Sequence, residues 1–521
     1  MTTNHDPLHI PMNTNNFFDY IIVGGGASGA ILASRLSANP DRTVLLLEAG
    51  PADSNPDIAD PARFVRLWGS ALDWKLETEN QPGLGNRKLI INQGRVLGGG
   101  ASLNAMMYVR GNRANFDQWN ARGADGWSYA DLLPYFKKVE DFEGGASEFH
   151  GVGGPIRIRE CPDPAMRSEP FMFAAKELGY DGPYWDYNGA RQENGAGLLQ
   201  FHMRDDGSRA NPTTAYLDPA RTRPNLTVLT GAEATRVLLT GTRATGVEYV
   251  QDGATHTTRA EREVVLCAGT FFSPKLLLQS GIGPAAELRA LGIAVVADLP
   301  GVGKNLQDHM QLSAVYRSKV DHPQPTLLTG NILFVKTRPG MSAAAPDLQL
   351  NFTPAVPKPL APFLPDFGGP ACIFLAILTQ PFSIGEVTLR SADPAAAPRI
   401  NPNYLQQEAD VQVFRSAMKL IREMAGTKAF AGINGGELAP GAADLDGFIR
   451  SQSSTLWHPA GTCKIGRDAL AVVDPDLRVY GVDGLRVADG SVMPTVTTGN
   501  TVAACFVIGE KAADLILAST D

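Results

Sequence analysis

One short segment near the start of the chain limits its fold more than any other. Residues 18–23 (FDYIIV) form an apolar run that leads into residues 24–29 (GGGASG), a G-x-G-x-x-G motif, and then into a helical pattern. A second apolar run, residues 43–47, ends in Glu48. In a strand–turn–helix–strand unit, such glycines let a pyrophosphate approach the helix N-terminus, and the acid accepts from a ribose hydroxyl. The segment therefore predicts dinucleotide binding, with a ligand-free glycine-rich turn as the alternative.

The size and charge of the chain bear on its partners. With 521 residues, of which 44% are hydrophobic and 19% charged, the chain is long enough for two domains. Its net charge of −8 argues against nucleic acid or an anionic membrane as partner, because both need a basic face. No apolar run reaches the length of a membrane-spanning helix. These features leave small molecules as the expected ligands, and they indicate no oligomeric state.

The N-terminus and the cysteines bear on the compartment. Residues 1–16 are polar and lack the basic start and apolar stretch of a secretory signal, so we predict a disordered tail. The five cysteines are odd in number, and no two of them have C-x-x-C spacing. They predict neither a disulfide framework nor a metal site. A reducing cytoplasm is the expected location.

Strand and helix patterns divide the chain into two interleaved domains. The predicted fold class is α/β (α+β overall), with a discontinuous Rossmann-like dinucleotide-binding domain and a cap domain built on an antiparallel sheet and helices. Predicted strands and a last helix place the first domain at residues 17–154, 205–310 and 452–521. An irregular stretch rich in Gly, Pro and aromatics, and a stretch of alternating runs interrupted by prolines, place the cap at residues 155–204 and 311–451.

Four further segments have the composition of a ligand site. Residues 94–104 (GRVLGGGASLN) contain three successive glycines, which leave no side chain between backbone and ligand. Residues 269–283 (GTFFSPKLLLQSGIG) are typical of a short helix capped by Ser273, with Pro274 at its first position. Residues 457–462 (WHPAGT) and 498–501 (TGNT) contribute a histidine and an asparagine near the C-terminus.

Together these segments resemble the glucose–methanol–choline (GMC) family of FAD-dependent oxidoreductases over nearly the whole chain. Its two glycine-rich signatures fall at residues 94–112 and 269–283, and only Ala101 departs from them. Within the family, the chain is most similar to choline-dehydrogenase-like and other alcohol-oxidising members. The resemblance implies FAD as the cofactor. It also implies a non-covalent flavin, because Leu103 occupies the position at which some members attach FAD through histidine.

The resemblance implies a set of cofactor contacts along the chain. The residues expected to contact FAD are Gly24, Gly26, Ser28, Gly29, Glu48, Ala49, Leu97, Gly100, Asn104, Ala105, Met106, Ala234, Trp457, Asp489, Gly490, Asn500 and Thr501. The helix that follows Asn500 is expected to point its N-terminus at the flavin, where negative charge develops on reduction.

The resemblance also implies a catalytic pair, His458 and Asn500, that oxidises a primary alcohol to the aldehyde. A neutral imidazole suits removal of the hydroxyl proton, and flavin N5 receives the hydride. Asn500 orients the substrate oxygen, although an asparagine before a helix is also an ordinary N-cap. His309, the other candidate histidine, is interpreted as holding a loop in place.

Several alternatives remain open at this point. A light-driven fatty-acid decarboxylase of the same family uses a cysteine in its substrate domain, but Cys372 is interpreted as a buried packing residue. The other two alternatives are an NAD-dependent dehydrogenase and a flavin-binding protein without activity. Choline needs an aromatic cage and a carboxylate. Trp68 and Trp74 lie in a plausible region without an evident acid, so choline is not favoured. The electron acceptor, O2 or a quinone or dye, is not indicated.

Overall fold

Two large β-sheets organise the chain, and they are described by a computed structural model that covers residues 17–338, 340–341 and 344–519. The predicted disordered tail, residues 1–16, lies outside the described residues. In the described ranges, no helix has both the length and the apolar character needed to cross a membrane. The same ranges contain no group of three or more His, Cys, Asp or Glu side chains arranged to hold a metal ion.

The helices and strands are numbered in chain order. The helices are α1 (Ala27–Leu36), α2 (Gly100–Leu103), α3 (Arg113–Ala121), α4 (Tyr129–Val139), α5 (Glu169–Glu177), α6 (Asp218–Ala220), α7 (Gly269–Gln279), α8 (Ala285–Ala290), α9 (Glu408–Ala425), α10 (Leu445–Gln452) and α11 (Val502–Ala518). The strands are β1 (Phe17–Val23), β2 (Val44–Glu48), β3 (Leu76–Glu77), β4 (Ile90–Ile91), β5 (Glu140–Phe142), β6 (Ile156–Glu160), β7 (Gly195–Leu198), β8 (Gln200–His202), β9 (Leu226–Thr230), β10 (Glu233–Thr240), β11 (Arg243–Gln251), β12 (Ala254–Leu266), β13 (Ile282–Gly283), β14 (Ala297–Asp298), β15 (Met310–Ser318), β16 (Asn331–Val335), β17 (Leu348–Thr353), β18 (Ala371–Leu378), β19 (Glu386–Thr388), β20 (Arg399–Asn401), β21 (Asn434–Ala439), β22 (Ser454–Thr455) and β23 (Leu485–Val487).

The first large sheet has the order β10-β11-β12-β1-β2-β9, and β23 pairs with β12. Its centre is parallel, with Ile21 opposite both Leu45 and Val264. All five residues of β2 are buried, and β1 is almost as deeply enclosed. Such continuous apolar runs are typical of parallel strands that helices cover on both faces. This sheet confirms the predicted Rossmann-like α/β unit.

The first and last helices of the chain pack against each other below this sheet. A Cβ atom added to Gly509 would lie 2.9 Å from the carbonyl oxygen of Ser28, so only glycine allows this approach. The Ser28 hydroxyl also donates to the carbonyl of Cys505 at 2.8 Å. This contact places the turn before α11, near residue 500, next to the glycine-rich turn before α1.

The second large sheet is antiparallel, with the order β21-β15-β18-β17-β16-β7 and β22 beside β15. One of its faces packs against α9 in a core that contains Cys372, Phe374 and Phe414. The sheet confirms the predicted antiparallel cap. Most of its strands come from the predicted cap segments, but β22 lies within the predicted FAD-binding range. The boundaries between the two domains stay a prediction.

Two local predictions differ from the structure. The stretch 155–204, expected to be irregular, contains β6 and the nine-residue helix α5, which Ser168 caps by accepting from the Phe171 N–H at 3.4 Å. The helix after β12 begins at Gly269, so Ser273 is not its cap and Pro274 lies inside it. Pro274 has no N–H for the carbonyl of Thr270, and the Thr462 hydroxyl donates to that carbonyl at 2.6 Å instead.

Replacement of Gly509 by valine is expected to lower the free energy of unfolding by about 1–3 kcal/mol, the usual cost of overpacking. Valine gains little helix propensity over glycine, so the steric cost dominates. Denaturant titration measures the change. Gly432→Ala is the matched control, because a Cβ at Gly432 meets no atom within 4 Å. Equal stability of the two variants would show that the two helices do not depend on this close contact.

Candidate active site

A cavity of about 690 Å³ extends from the carboxyl ends of the parallel strands to the inner face of the antiparallel sheet. Residues that follow β1, β2, β12 and β23 line one end of it, and residues of β15, β17 and β18 line the other. Ligands of open α/β sheets bind at the carboxyl ends of the strands. The cavity therefore joins the predicted nucleotide site to the cap.

The two glycine-rich segments form the wall of the cavity next to α1. The N–H of Gly98 donates to the carbonyl of Gly25 at 2.7 Å, and a Cβ on Gly99 would lie 2.9 Å from the Cα of Gly26. A Cβ on Gly26 itself would meet no protein atom closer than 4.0 Å. The N–H groups of the first turn of α1 have no acceptor within the helix. The wall is thus a side-chain-free cradle at a helix N-terminus.

Glu48 lies at the end of β2 beside this cradle. Its carboxylate accepts from the N–H of Gly25 at 2.9 Å and from the N–H of Gly50 at 2.7 Å. Burial raises the pKa of Glu48 to about 7, although the two backbone N–H groups oppose the shift. Each carboxylate oxygen keeps a free lone pair, so Glu48 can accept a further hydrogen bond from a ligand in the cavity.

Most of the residues predicted to contact a cofactor line this cavity. They are Gly24, Gly26, Ser28, Glu48, Ala49, Gly100, Asn104, Ala105, Ala234, Trp457, Asp489, Gly490, Asn500 and Thr501. Gly29, Leu97 and Met106 do not line it. Gly29 permits close packing, because a Cβ there would lie 1.9 Å from the Gly24 carbonyl oxygen, while Leu97 packs under Gly25. Met106 is fully buried, and its N–H donates to the Asn104 side chain at 3.0 Å.

His458 and Asn500 meet in the wall of the cavity. The Asn500 Nδ2 atom lies 3.1 Å from His458 Nε2, and Asn500 Oδ1 has no hydrogen-bond partner among the described residues. An amide Nδ2 is a donor, so His458 Nε2 is the acceptor and its proton is on Nδ1. A single ligand oxygen placed against the pair can contact both side chains.

His309 completes this arrangement on the far side of His458. The Nδ1 atoms of the two histidines are 3.0 Å apart, and their rings are nearly perpendicular. The Nδ1–H of His458 donates to Nδ1 of His309, which is thereby fixed as the Nε2–H tautomer. The sequence interpretation of His309 as a loop support missed this contact, and the segment 301–309 gave no signal for it.

Burial controls the protonation of both rings. It lowers the pKa of His458 well below its ordinary range, and the neighbouring His309 lowers it further. Burial also lowers the pKa of His309 to about 4. Both imidazoles are therefore neutral near pH 7, and the lone pair of His458 Nε2 is the one that accepts from Asn500 Nδ2.

The loop that carries His458 is held by the carboxylate of Asp308. This carboxylate accepts from the N–H of His458 at 2.8 Å and from the hydroxyls of Thr455 and Tyr404. Burial raises the pKa of Asp308 to about 6, against these hydrogen bonds. Trp457, which lies between Thr455 and His458, adopts a left-handed backbone conformation with φ 61°. Such strain in a non-glycine residue persists only where surrounding contacts enforce it.

Asn500 is not a helix cap. α11 begins at Val502, and its N-cap residue is Thr501, whose side chain makes no capping bond. The Asn500 side chain contacts His458 instead, so the alternative reading of this residue as an ordinary cap is wrong. The first turn of α11 still faces the cavity through Thr501 and Val502.

A buried cation next to the cavity was also missed by the sequence reasoning. Arg209 is 2% exposed and donates to the carbonyls of Ile58 and Ala101 and to Oδ1 of Asn104. Burial lowers its pKa to about 9. Arg209 thus fixes the orientation of Asn104, one of the cavity-lining residues.

Comparison with known proteins decides the family. Sequence profiles described as GMC oxidoreductase match residues 18–311 and 381–509. The chain belongs to the GMC oxidoreductase family. It is an FAD-dependent alcohol oxidoreductase by that membership, and its cofactor is FAD.

Three relatives illustrate the likeness of this GMC oxidoreductase to known proteins. It is 40% identical to an oxygen-dependent choline dehydrogenase of Ectopseudomonas mendocina, over 96% of this chain and 94% of the relative. It is 41% identical to an uncharacterised GMC-type oxidoreductase of Mycobacterium bovis, over 96% of this chain and 99% of the relative. Among solved structures, pyridoxine 4-oxidase from Mesorbium loti is 35% identical, with a TM-score of 0.88 over 95% of this chain and 98% of the other.

The residues of the cavity fit FAD. Gly26, just before α1, and Gly100, the first residue of α2, offer open space where side chains would otherwise stand. Glu48 and the strand residue Ala234 line the same end, where the adenosine half belongs. His458 and Asn500 line the region beyond, so a flavin held by the cradle would face them.

The variant Gly26→Ala is expected to weaken FAD binding about tenfold or more while leaving the apoprotein as stable as the parent. The added methyl meets no protein atom closer than 4.0 Å, and Gly26 has an ordinary φ of −74°. It would instead occupy space next to the N–H groups of α1, and overpacking of this kind costs about 1–3 kcal/mol. Titration of apoprotein with FAD, followed by flavin fluorescence, measures the affinity. Unchanged affinity would place the pyrophosphate elsewhere.

Proposed function

We propose that this protein oxidises a primary alcohol to the corresponding aldehyde, with His458 as general base and Asn500 as the group that orients the substrate oxygen. FAD supplies the hydride acceptor, flavin N5, when bound. The observation that carries the proposal is the 3.1 Å contact between Asn500 Nδ2 and His458 Nε2 in the wall of the cavity. The family membership of the chain supports alcohol oxidation in general.

His458 is suited to accept the hydroxyl proton. Its Nε2 lone pair accepts from Asn500 Nδ2 in this structure and becomes free to take the proton when the substrate hydroxyl inserts between the two side chains. Its lowered pKa keeps the ring neutral at neutral pH. Removal of the hydroxyl proton makes the alcohol carbon a better hydride donor. The loop held by Asp308 keeps the ring at a fixed place relative to Asn500.

Asn500 is suited to hold the oxygen as negative charge develops on it. Its Nδ2–H donates to that oxygen, and as an uncharged amide it does not compete for the proton. The N-terminus of α11, which follows directly, adds N–H groups and the positive end of a helix dipole on the same side. Both effects favour negative charge in the transition state.

The flavin is proposed to be held without a covalent bond. Leu103, the position considered for attachment, is an aliphatic side chain that lines the cavity. The thiols of Cys267 and Cys505 also line it, and burial raises the pKa of each, of Cys505 to about 12. Neither is a ready thiolate nucleophile. Denaturation is expected to release all of the flavin from the polypeptide.

The alternative activities find less support in the site. Cys372, the cysteine considered for a photochemical decarboxylase, faces the core against α9 rather than the cavity. Membership of an FAD-dependent family counts against a nicotinamide dehydrogenase. A flavin-binding protein without activity would leave the His458–Asn500 contact without a purpose. The rate at which air reoxidises the reduced flavin distinguishes an oxidase from a dehydrogenase that uses a quinone or dye.

Replacement of His458 by alanine is expected to slow anaerobic flavin reduction by a primary alcohol about 10²–10⁴-fold, the usual contribution of a general base. The variant should remain folded and yellow, because Asp308 holds the backbone of this loop rather than the ring. Stopped-flow absorbance of the flavin measures the rate. A variant that reduces its flavin at nearly the parent rate would rule out His458 as the base.

The substitution His309→Ala is expected to move the acid limb of the kcat/KM profile to higher pH. The base must be unprotonated, so activity falls as pH drops through the pKa of His458. That pKa is lowered partly by His309, so it rises toward its ordinary range when the ring is removed. The fixed Nδ1–H tautomer is lost as well, and the rate should fall roughly 10-fold or more.

His309→Asn is the matched control for this prediction, because its amide oxygen can accept from the Nδ1–H of His458. It should recover part of the rate. Identical pH profiles for the parent and His309→Ala would contradict the proposed contribution of His309.

A further inference from the structure

Three strands of the antiparallel sheet turn every second residue toward the cavity. The residues that line it are Gln311, Ser313 and Val315 of β15, Asn351 and Thr353 of β17, and Ile373, Leu375 and Ile377 of β18. Cross-strand pairing places them in rows, with Ser313 and Asn351 on either side of Leu375. These eight residues, together with the side chains that face them, are called the substrate chamber below.

The two ends of the substrate chamber differ in polarity at β15, although Ile377 lies beside Gln311 at the inner end and Thr353 beside Ile373 at the outer end. At the inner end, Gln311 follows closely after His309 and donates to the carbonyl of Thr455 at 2.9 Å. At the outer end, Val315 and Ile373 pack with Leu364 and Phe367 in a separate apolar cluster. Val315 lies four residue steps beyond Gln311 along an extended strand, a distance of about 13 Å.

Among the described residues, no ionisable side chain other than that of His458 lines the substrate chamber. Apart from His458 and the two cysteines, the ionisable residues among those that line the cavity are Glu48, Glu233, Lys275 and Asp489. All four lie on the first sheet or on the elements attached to it, at the nucleotide end. The polar groups of the substrate chamber are neutral amides and hydroxyls.

A cation would be poorly accommodated in such a place. Moving a charge from water into an apolar site costs several kcal/mol unless a carboxylate or aromatic faces compensate. One aromatic pair that lines the cavity, Trp68 and Trp457, packs ring against ring with centroids 4.7 Å apart, so the rings cover part of each other's surface. The part of this wall that the structure describes includes no carboxylate.

Building on the function proposed above, we infer that the substrate is an uncharged primary alcohol with an extended apolar tail. Its hydroxyl contacts His458 and Asn500, and its tail runs along the three strands toward Val315 and Ile373. The choline-type substrate named for several relatives would leave its quaternary ammonium without a counter-charge in this chain. Gln311 and Asn351 are available to a polar group near the reacting end.

The first experiment measures anaerobic flavin reduction of the holoenzyme by straight-chain primary alcohols from ethanol to dodecanol. We expect kcat/KM to rise about fourfold per methylene, the factor that corresponds to burial of one methylene group, until the tail fills the substrate chamber. A second comparison uses choline and its neutral carbon isostere, 3,3-dimethylbutan-1-ol. The isostere should be better by about 100-fold or more, since an uncompensated buried charge costs several kcal/mol. A flat chain-length profile, or choline equal to its isostere, would overturn the inference.

Variants on β18 test the direction of the tail. Ile373→Phe fills the outer end, and should lower kcat/KM for decanol relative to butanol by about tenfold. Cys372→Ala is the matched control, since the neighbouring residue faces the opposite side of the same strand and should leave that ratio as in the parent. Equal ratios in Ile373→Phe and the control would show that the tail does not reach Ile373. If Ile373→Phe does not fold, the chain-length profile of the parent still decides.

Binding without turnover separates this inference from the proposed function. Alcohols are titrated into the His458→Ala holoenzyme, and perturbation of the flavin absorbance reports the dissociation constant. Affinity that rises with chain length, in an enzyme whose parent no alcohol reduces, would support the substrate chamber and reject alcohol oxidation. Flavin reduction by alcohols without any dependence on tail length would support the oxidation and reject the inference.

Discussion

Contact between the first and the last helix is the constraint on which the rest of the site depends. The hydrogen bond from Ser28 to the Cys505 carbonyl joins residues 477 positions apart. It places the glycine-rich turn before α1 against the turn before α11, so the nucleotide cradle and Asn500 become neighbours. The bond from Gly98 to Gly25 then adds the second glycine-rich segment to the same wall. Segments that are remote in sequence form one surface because the backbones approach without side chains between them.

The site lies at the seam between two sheets of different kind. The parallel sheet supplies the end proposed to hold the nucleotide, and the antiparallel sheet supplies the proposed substrate chamber. The loop with His458 runs between them and is tied to both sides, since Asp308 bonds this loop and also the hydroxyl of Tyr404. The position of the proposed base therefore depends on contacts with both sheets and not on one sheet alone. Neutral, buried imidazoles are the chemical result of that position.

Local sequence patterns predicted the parts of this protein that depend on neighbours in the chain. The strand, turn and helix around residues 18–36 follow from apolar runs and glycines. The predicted start of α7 was wrong because the Ser273 hydroxyl does not cap a helix. It donates to Asp489, which also accepts from the N–H of Gly269 at the true start of the helix. The contact between His309 and His458 spans 149 residues and leaves no local pattern. Burial of Arg209 is likewise a product of tertiary packing.

Side chains along β18 alternate between two faces of the strand, and the two faces have different roles. Cys372, Phe374 and Ala376 face the core, whereas Ile373, Leu375 and Ile377 face the cavity. Substitution at the first set alters how firmly the sheet holds together, and substitution at the second alters which molecule fits beside it. Selectivity can thus be rewritten in this scaffold at every other position while the backbone register is retained. An engineer seeking a new substrate would begin with the odd-numbered residues.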